Sequence, residues 1–167
     1  LYDRLRLQVN ERKSAIASAF GRKFLGYSFW LSAQGEIKRG VASQALQRFK
    51  SRIRQLTSRN GGRSVSQVVE SLRPYLLGWK AYFGLSQTPR RWRGFDEWIR
   101  RRLRAIQLKQ WKTGRRTYRE LRKLGAWPDL AAAIAGNSHR FWHNSVGLIH
   151  GVLTVAWFDR LGLPRLC

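Results

Sequence analysis

Along the first 42 residues, hydrophobic positions alternate with polar ones. "LRLQV" and "KFLGYSFWL" are short apolar-rich runs, separated by the polar "NERKS" and followed by "SAQGEIKRGVA". Alternation at a period of two sends successive side chains to opposite faces of a strand, so this region predicts two or three strands with a hairpin-like turn around Gln34 and Gly35. From Ser43 onward the period becomes helical. In "SQALQRFKSRIRQLTSR", Leu46, Phe49, Ile53 and Leu56 share one helix face behind Ser43 in N-cap position, and the loop "NGGR" closes the segment.

A second helix opens with Ser64 and Gln67 at capping-box spacing and carries Val65, Val68, Val69 and Leu72 on one side. Pro74 lacks an amide proton and predicts a kink or restart, making "PYLLGWKAYFG" a separate segment with Leu76, Trp79 and Phe83 inward. "QTPRRWRG" reads as a loop. A third helix is expected from Phe95 to Lys112, with Asp96 and Glu97 in its first turn, where the helix dipole favours acids, and an apolar stripe of Phe95, Trp98, Ile99, Leu103 and Ile106. "TYRELRKLGA" reads as a short fourth helix, and "DLAAAIAG" and "FWHNSVGLIHGVLTVAWFDRLGLP" supply one or two more. The fold class is α+β, mostly α: an N-terminal β-hairpin unit over 1–42, a helical domain over 43–128 and a helical extension over 129–167.

Charge changes this picture most. The chain carries 33 Lys and Arg against 9 Asp and Glu, a net charge of +24, and 25 of the 33 cations are arginines. A compact domain with this imbalance repels itself unless a polyanion is at hand, and arginine favours planar, bidentate contact with phosphates. The apolar fraction of 43% and the 8 tryptophans mark a folded protein rather than a basic tail. Solvated helix faces usually mix signs. These do not, which points to nucleic acid, with Lys38, Arg39, Arg48, Arg52, Arg90, Arg91, Arg93, Arg100, Arg101, Arg104, Arg115 and Arg116 as candidate contacts.

The material for catalysis is thin. Asp96–Glu97 is the one adjacent acidic pair, and no phosphate-binding glycine loop, nucleophile elbow or dinucleotide fingerprint is present. His139 and His143 are four apart, but Arg140 stands where a zinc peptidase needs glutamate, so no metal site is expected. Trp79, Trp98 and Phe83 sit at core spacing. Trp92, set between arginines in the expected loop, has two readings: contact with a base or backbone, or anchorage of the loop. No apolar run is long enough to span a bilayer, so no membrane partner is expected. The single cysteine, Cys167, excludes an intrachain disulfide and suits the cytoplasm. The chain begins without Met, as a fragment or processed product would.

Taken together, "LQVNERKS", "FLGYSF", "IKRGVASQALQRFKSRIRQLT", "YLLGWKAYF" and "AWFDRLGLPRL" resemble the C-terminal part of bacterial group II intron reverse transcriptase/maturases. The resemblance implies that Val9, Asn10, Lys13 and Ser14 belong to the late palm motif, and that Phe24, Leu25, Gly26 and Tyr27 belong to the primer-grip hairpin. It makes 43–128 the thumb, or maturase, domain, with Ala81 where many relatives carry Asn. Lys13 would lie near the incoming nucleotide and assist phosphate departure; its other reading is a surface lysine. The family's catalytic carboxylates lie upstream of the matching region. The resemblance therefore implies no cofactor in this chain, Mg2+ in the full-length polymerase, and inactivity in polymerisation without the fingers–palm segment. Implied partners are group II intron RNA, the template–primer duplex and that upstream segment, in a bacterial cytoplasm. The rival readings are a free-standing RNA- or DNA-binding splicing helper with no polymerase parent, and a ribosome-like structural protein.

Overall fold

A computed structural model describes residues 18–167 of the chain. The expected strand at "LRLQV" and the late-palm positions Val9, Asn10, Lys13 and Ser14 lie outside the described residues.

The described chain opens with an antiparallel three-stranded sheet, β1 (Lys23–Phe24), β2 (Tyr27–Leu31) and β3 (Ile37–Val41), in the order β1-β2-β3. A two-residue turn joins β1 to β2. Both of its residues, Leu25 at φ 48° and Gly26 at φ 80°, are left-handed, the geometry that matches strand twist in tight hairpins. The second hairpin turns at the expected place, with Gly35 at φ 76° and its amide donating to the Ser32 carbonyl at 3.0 Å.

Seven α-helices and one 3-10 turn follow: α1 (Ser43–Leu56), α2 (Val65–Tyr82), α3 (Pro89–Trp111), α4 (Gly114–Lys123), α5 (Pro128–Gly136), α6 (Phe141–Asn144), the 3-10 turn (Gly147–Gly151) and α7 (Val155–Arg160). Phe49 and Ile53 of α1, Leu72 and Leu76 of α2, and Ile99 and Leu103 of α3 are almost fully buried, as their helical spacing requires. At the start of α2 the Ser64 hydroxyl accepts from the Gln67 amide, while the Gln67 side chain accepts from the Ser64 amide. Ala42, rather than Ser43, is the N-cap of α1.

Two expectations about helix boundaries are corrected. Helix α2 runs unbroken through Pro74. The hydrogen bond that Pro74 cannot donate would have ended on the Glu70 carbonyl; both residues are exposed, on the solvent side of the helix, while Leu72 and Leu76 hold the helix to the core. Helix α3 starts six residues before Phe95. Pro89 occupies its first turn, where a missing amide proton costs nothing, so "PRRWRG" is helical rather than loop.

The C-terminal elements sheathe α3. Its residues 103–106 are all buried, and Ile149, Leu153, Phe158, Leu163 and Leu166 join the same core. Asp96 is consequently not a first-turn dipole partner. It is buried, and its carboxylate accepts the amides of Leu166 at 3.0 Å and Cys167 at 3.2 Å, fastening the chain's end to α3. Lys80 of α2 adds a bond to the Arg165 carbonyl at 2.9 Å.

Candidate nucleic-acid interface

Helix α1 has two basic flanks on either side of its buried face. Successive residues advance by about 100°, so Lys50 and Arg54 lie along one flank, and Arg48 and Arg52 along the other. The packing agrees. Lys50 and Arg54 approach rings of α3, whereas Arg48 lines a cavity with Trp79 of α2.

On α3, Arg91, Trp98, Arg102, Ala105 and Lys109 repeat at steps of seven, four, three and four, which aligns them in one stripe toward α1. A ladder of cations over aromatic faces results. Lys50 Nζ stands 5.7 Å from the centre of the Phe95 ring, and the Trp98 ring takes Arg54 at 5.7 Å and Arg102 at 5.5 Å. Such contacts hold the stems of the cations while leaving hydrogen-bonding capacity outward.

Arg102 ties the two helices together. Its Nε donates to Thr57 Oγ1 at 2.5 Å, and an Nη donates to the carbonyls of Thr57 at 3.3 Å and Arg54 at 3.4 Å. Those carbonyls lie in the last turn of α1 and at its C-cap, where backbone acceptors lack helical partners and the dipole favours a cation. Burial pushes the Arg102 guanidinium below its usual range, and the like charges of Arg54 and Arg59 push it further the same way. Lys109 bonds to the Asn60 side chain just beyond the helix end.

Among the described residues, no carboxylate forms an ion pair with a cation of this seam. The ion pairs among the described residues join Lys38 to Glu36, Arg119 and Lys123 to Glu120, and Arg165 to Asp159. Arg54, Arg59, Arg102 and Lys109 instead line a recess of about 420 Å³.

The residues singled out from the sequence are dispersed. Arg90, Arg91 and Arg93 are exposed on the first turns of α3, and Arg115 and Arg116 on the first turn of α4. Lys38 and Arg39 lie on β3, where the Arg39 backbone exchanges two hydrogen bonds with Gln87, at 2.9 and 2.8 Å. Arg100 is half-buried beside Glu97 and His150 in a cavity of about 630 Å³. The guanidinium of Arg101 lies over the Trp142 ring at 3.9 Å.

Two of the residues expected at the surface are buried instead. Trp92 is buried in α3 and packs against Phe95 with ring centres 6.0 Å apart, so it anchors a helix in the core rather than a loop. Arg104 is 4% exposed. Its Nε donates to the Leu153 carbonyl at 2.9 Å, its guanidinium lies over Phe158, and burial with Arg100 nearby lowers its pKa to about 10, so its contacts are made inside the fold. Lys50, Arg54, Arg59, Arg102 and Lys109, which form the seam and its recess, are not among the contacts expected from the sequence. The signal for most of them was present in the four-residue step on α1 and the heptad-like steps on α3.

The primer-grip-like residues meet α2 directly. Tyr27 donates its hydroxyl to the Tyr82 carbonyl at 2.6 Å, and Tyr82 returns the bond to the Leu25 carbonyl at 3.0 Å. Gly26 sits so close to Phe83 that a Cβ there would lie 3.1 Å from the ring. "FLGY" and "KAYF" therefore form one joint. His139 lies in a turn and His143 in α6, and no group of three or more His, Cys, Asp or Glu among the described residues has metal-holding geometry. No helix among the described residues is long and apolar enough to cross a membrane.

Comparison with known families matches residues 46–125, which span α1 to the end of α4, to the group II intron, maturase-specific domain. No curated protein matches the chain at a significant level.

Proposed function

We propose, from the match of residues 46–125 to the group II intron, maturase-specific domain, that the chain acts in group II intron splicing with intron RNA as partner, as the thumb/maturase region of an intron-encoded reverse transcriptase. It grips intron RNA and the template–primer duplex, in support of splicing and retrohoming. The observation that carries this reading is the cationic seam between α1 and α3, which no carboxylate among the described residues pairs. An A-form helix offers a wide, shallow minor groove flanked by phosphate rows and is recognised mostly by shape. Two packed helices bearing cations one turn apart suit those rows.

The tyrosine joint supports a template–primer role, because it couples the hairpin rigidly to the base of the thumb. Phe24, Leu25, Leu31 and Ile37 are each more than half exposed on the sheet, a surface that suits cover by the fingers–palm segment. In this reading that segment holds the catalytic carboxylates and their Mg2+, and the chain alone extends no primer.

The test is binding of a group II intron transcript in competition with heparin, together with primer extension by the chain with and without a separately supplied fingers–palm segment. The reading expects tight, salt-sensitive binding that heparin of equal charge displaces poorly, and extension only with the added segment. Displacement as ready as that of any polyanion, or extension by the chain alone, would overturn it.

A further inference from the structure

At the C-terminal end of α1 the seam opens into two adjoining recesses, of about 420 and 320 Å³, that share Arg59 and Arg102 as lining. The larger presents Arg54, Arg59 and Lys109; the smaller is walled by Trp142. We infer that this cleft seats a single unpaired RNA nucleotide, its phosphate held by Arg54, Arg59 and Lys109 and its base stacked on Trp142.

Three observations carry the inference. The cations there form no ion pair with a carboxylate among the described residues, and Arg102, spent on the end of α1, gives the recess a fixed wall rather than a mobile side chain. Trp142 is 40% exposed, an aromatic side chain partly open to solvent. One of its faces carries the Arg101 guanidinium at 3.9 Å, and the ring borders the recess that Arg59 shares, so a charged sub-site and an aromatic sub-site adjoin. Bases inside a continuous duplex are already stacked on their neighbours and have no face to offer a ring, whereas a bulged base does. Phosphates alone would need only the cations. The indole beside them selects an extrahelical nucleotide.

This inference rests on the RNA-binding reading above, and the experiment separates the two. The whole chain is titrated with a fluorescently labelled RNA hairpin carrying one bulged adenosine, and with the same hairpin fully paired. A second bulged hairpin carries 2-aminopurine at the bulge, whose emission falls when it stacks. The wild-type chain is expected to favour the bulged hairpin by about five- to tenfold, the low end of what one base–aromatic stack provides, and to quench the 2-aminopurine. Trp142→Leu should bind both hairpins equally, at the paired-hairpin affinity, and quench nothing; Trp142→Phe should keep part of the preference, which excludes simple misfolding. Arg59→Ala should lower the salt slope for the bulged hairpin by about 0.7–0.9 per lost phosphate. Equal wild-type affinity for both hairpins, or quenching that survives in Trp142→Leu, would reject the cleft while leaving the RNA-binding reading intact. Failure to bind either hairpin would reject both.

Discussion

Replacing Arg102 with alanine removes the strap between α1 and α3. Its short bond to Thr57 Oγ1 at 2.5 Å is charge-assisted, and its bonds to the Thr57 and Arg54 carbonyls, at 3.3 and 3.4 Å, are weaker. Hydrogen bonds to charged groups contribute about 1.5–3 kcal/mol each when well made. The two long ones count for less, the half-exposed end of the side chain regains water, and removal also relieves repulsion from Arg54 and Arg59. Loss of the stack on Trp98 adds about 0.5–1 kcal/mol. The net destabilisation is expected at about 2 kcal/mol, a fall in melting temperature of roughly 4–8 °C for a domain of this size. Lysine keeps the charge but cannot reach three acceptors at once, so Arg102→Lys should recover less than half. Thr57 is fully buried, and Thr57→Val removes the shared acceptor at nearly constant shape. A double-mutant cycle by urea denaturation should therefore give a coupling of about 1 kcal/mol. Strictly additive effects, or an Arg102→Ala chain as stable as its parent, would refute the strap.

Asp96→Ala should free the last residues, seen as fast hydrogen exchange at the amides of Leu166 and Cys167 while those of α1 stay protected; equal protection before and after would contradict the tether. Trp92→Ala should cost about 3–5 kcal/mol in chemical denaturation, as for a buried aromatic, with no loss of salt slope in RNA binding. Arg104→Ala should likewise destabilise, by about 3 kcal/mol, because it strips a buried carbonyl of its charged donor, and should leave the salt slope unchanged. Gly26→Ala should loosen the joint with α2 through both its φ of +80° and its approach to Phe83, read as a lower melting temperature and faster exchange at Ala42, whose amide donates to the Gly26 carbonyl.

Much of this architecture is legible in periodicity. The strand-to-helix switch at Ser43, the Ser64 capping box and the core stripes of α1 and α2 all follow from local pattern, and the structure carries each of them. What local pattern hides is the far side of α3. Its Arg104 and Asp96 look like surface charges because the elements that bury them, Leu153, Phe158, Leu166 and Cys167, come some fifty to seventy residues later. Pro89 misleads for a different reason. The same ring that ends helices from within also begins them, and only the continuous stripe from Trp92 through Phe95 to Ile99 distinguishes the two uses. For the interface, the abundance of arginine was plain but its partition was not. Which flank of α1 faces α3 depends on how the helices dock, and that depends on the aromatic rings of Phe95 and Trp98.

The most direct test of the central claim is the salt dependence of binding to a short A-form RNA duplex. The seam variant Lys50→Ala/Arg54→Ala/Lys109→Ala is compared with a charge-matched control, Arg119→Ala/Lys123→Ala/Arg165→Ala, whose cations are already held by Glu120 and Asp159. If the seam between α1 and α3 is the RNA-gripping surface, the first variant loses about two to three in the slope of log affinity against log salt, near 0.7–0.9 per contact, and the control loses much less. Equal losses from both would mean that the duplex responds to net charge alone and that the seam is not the interface.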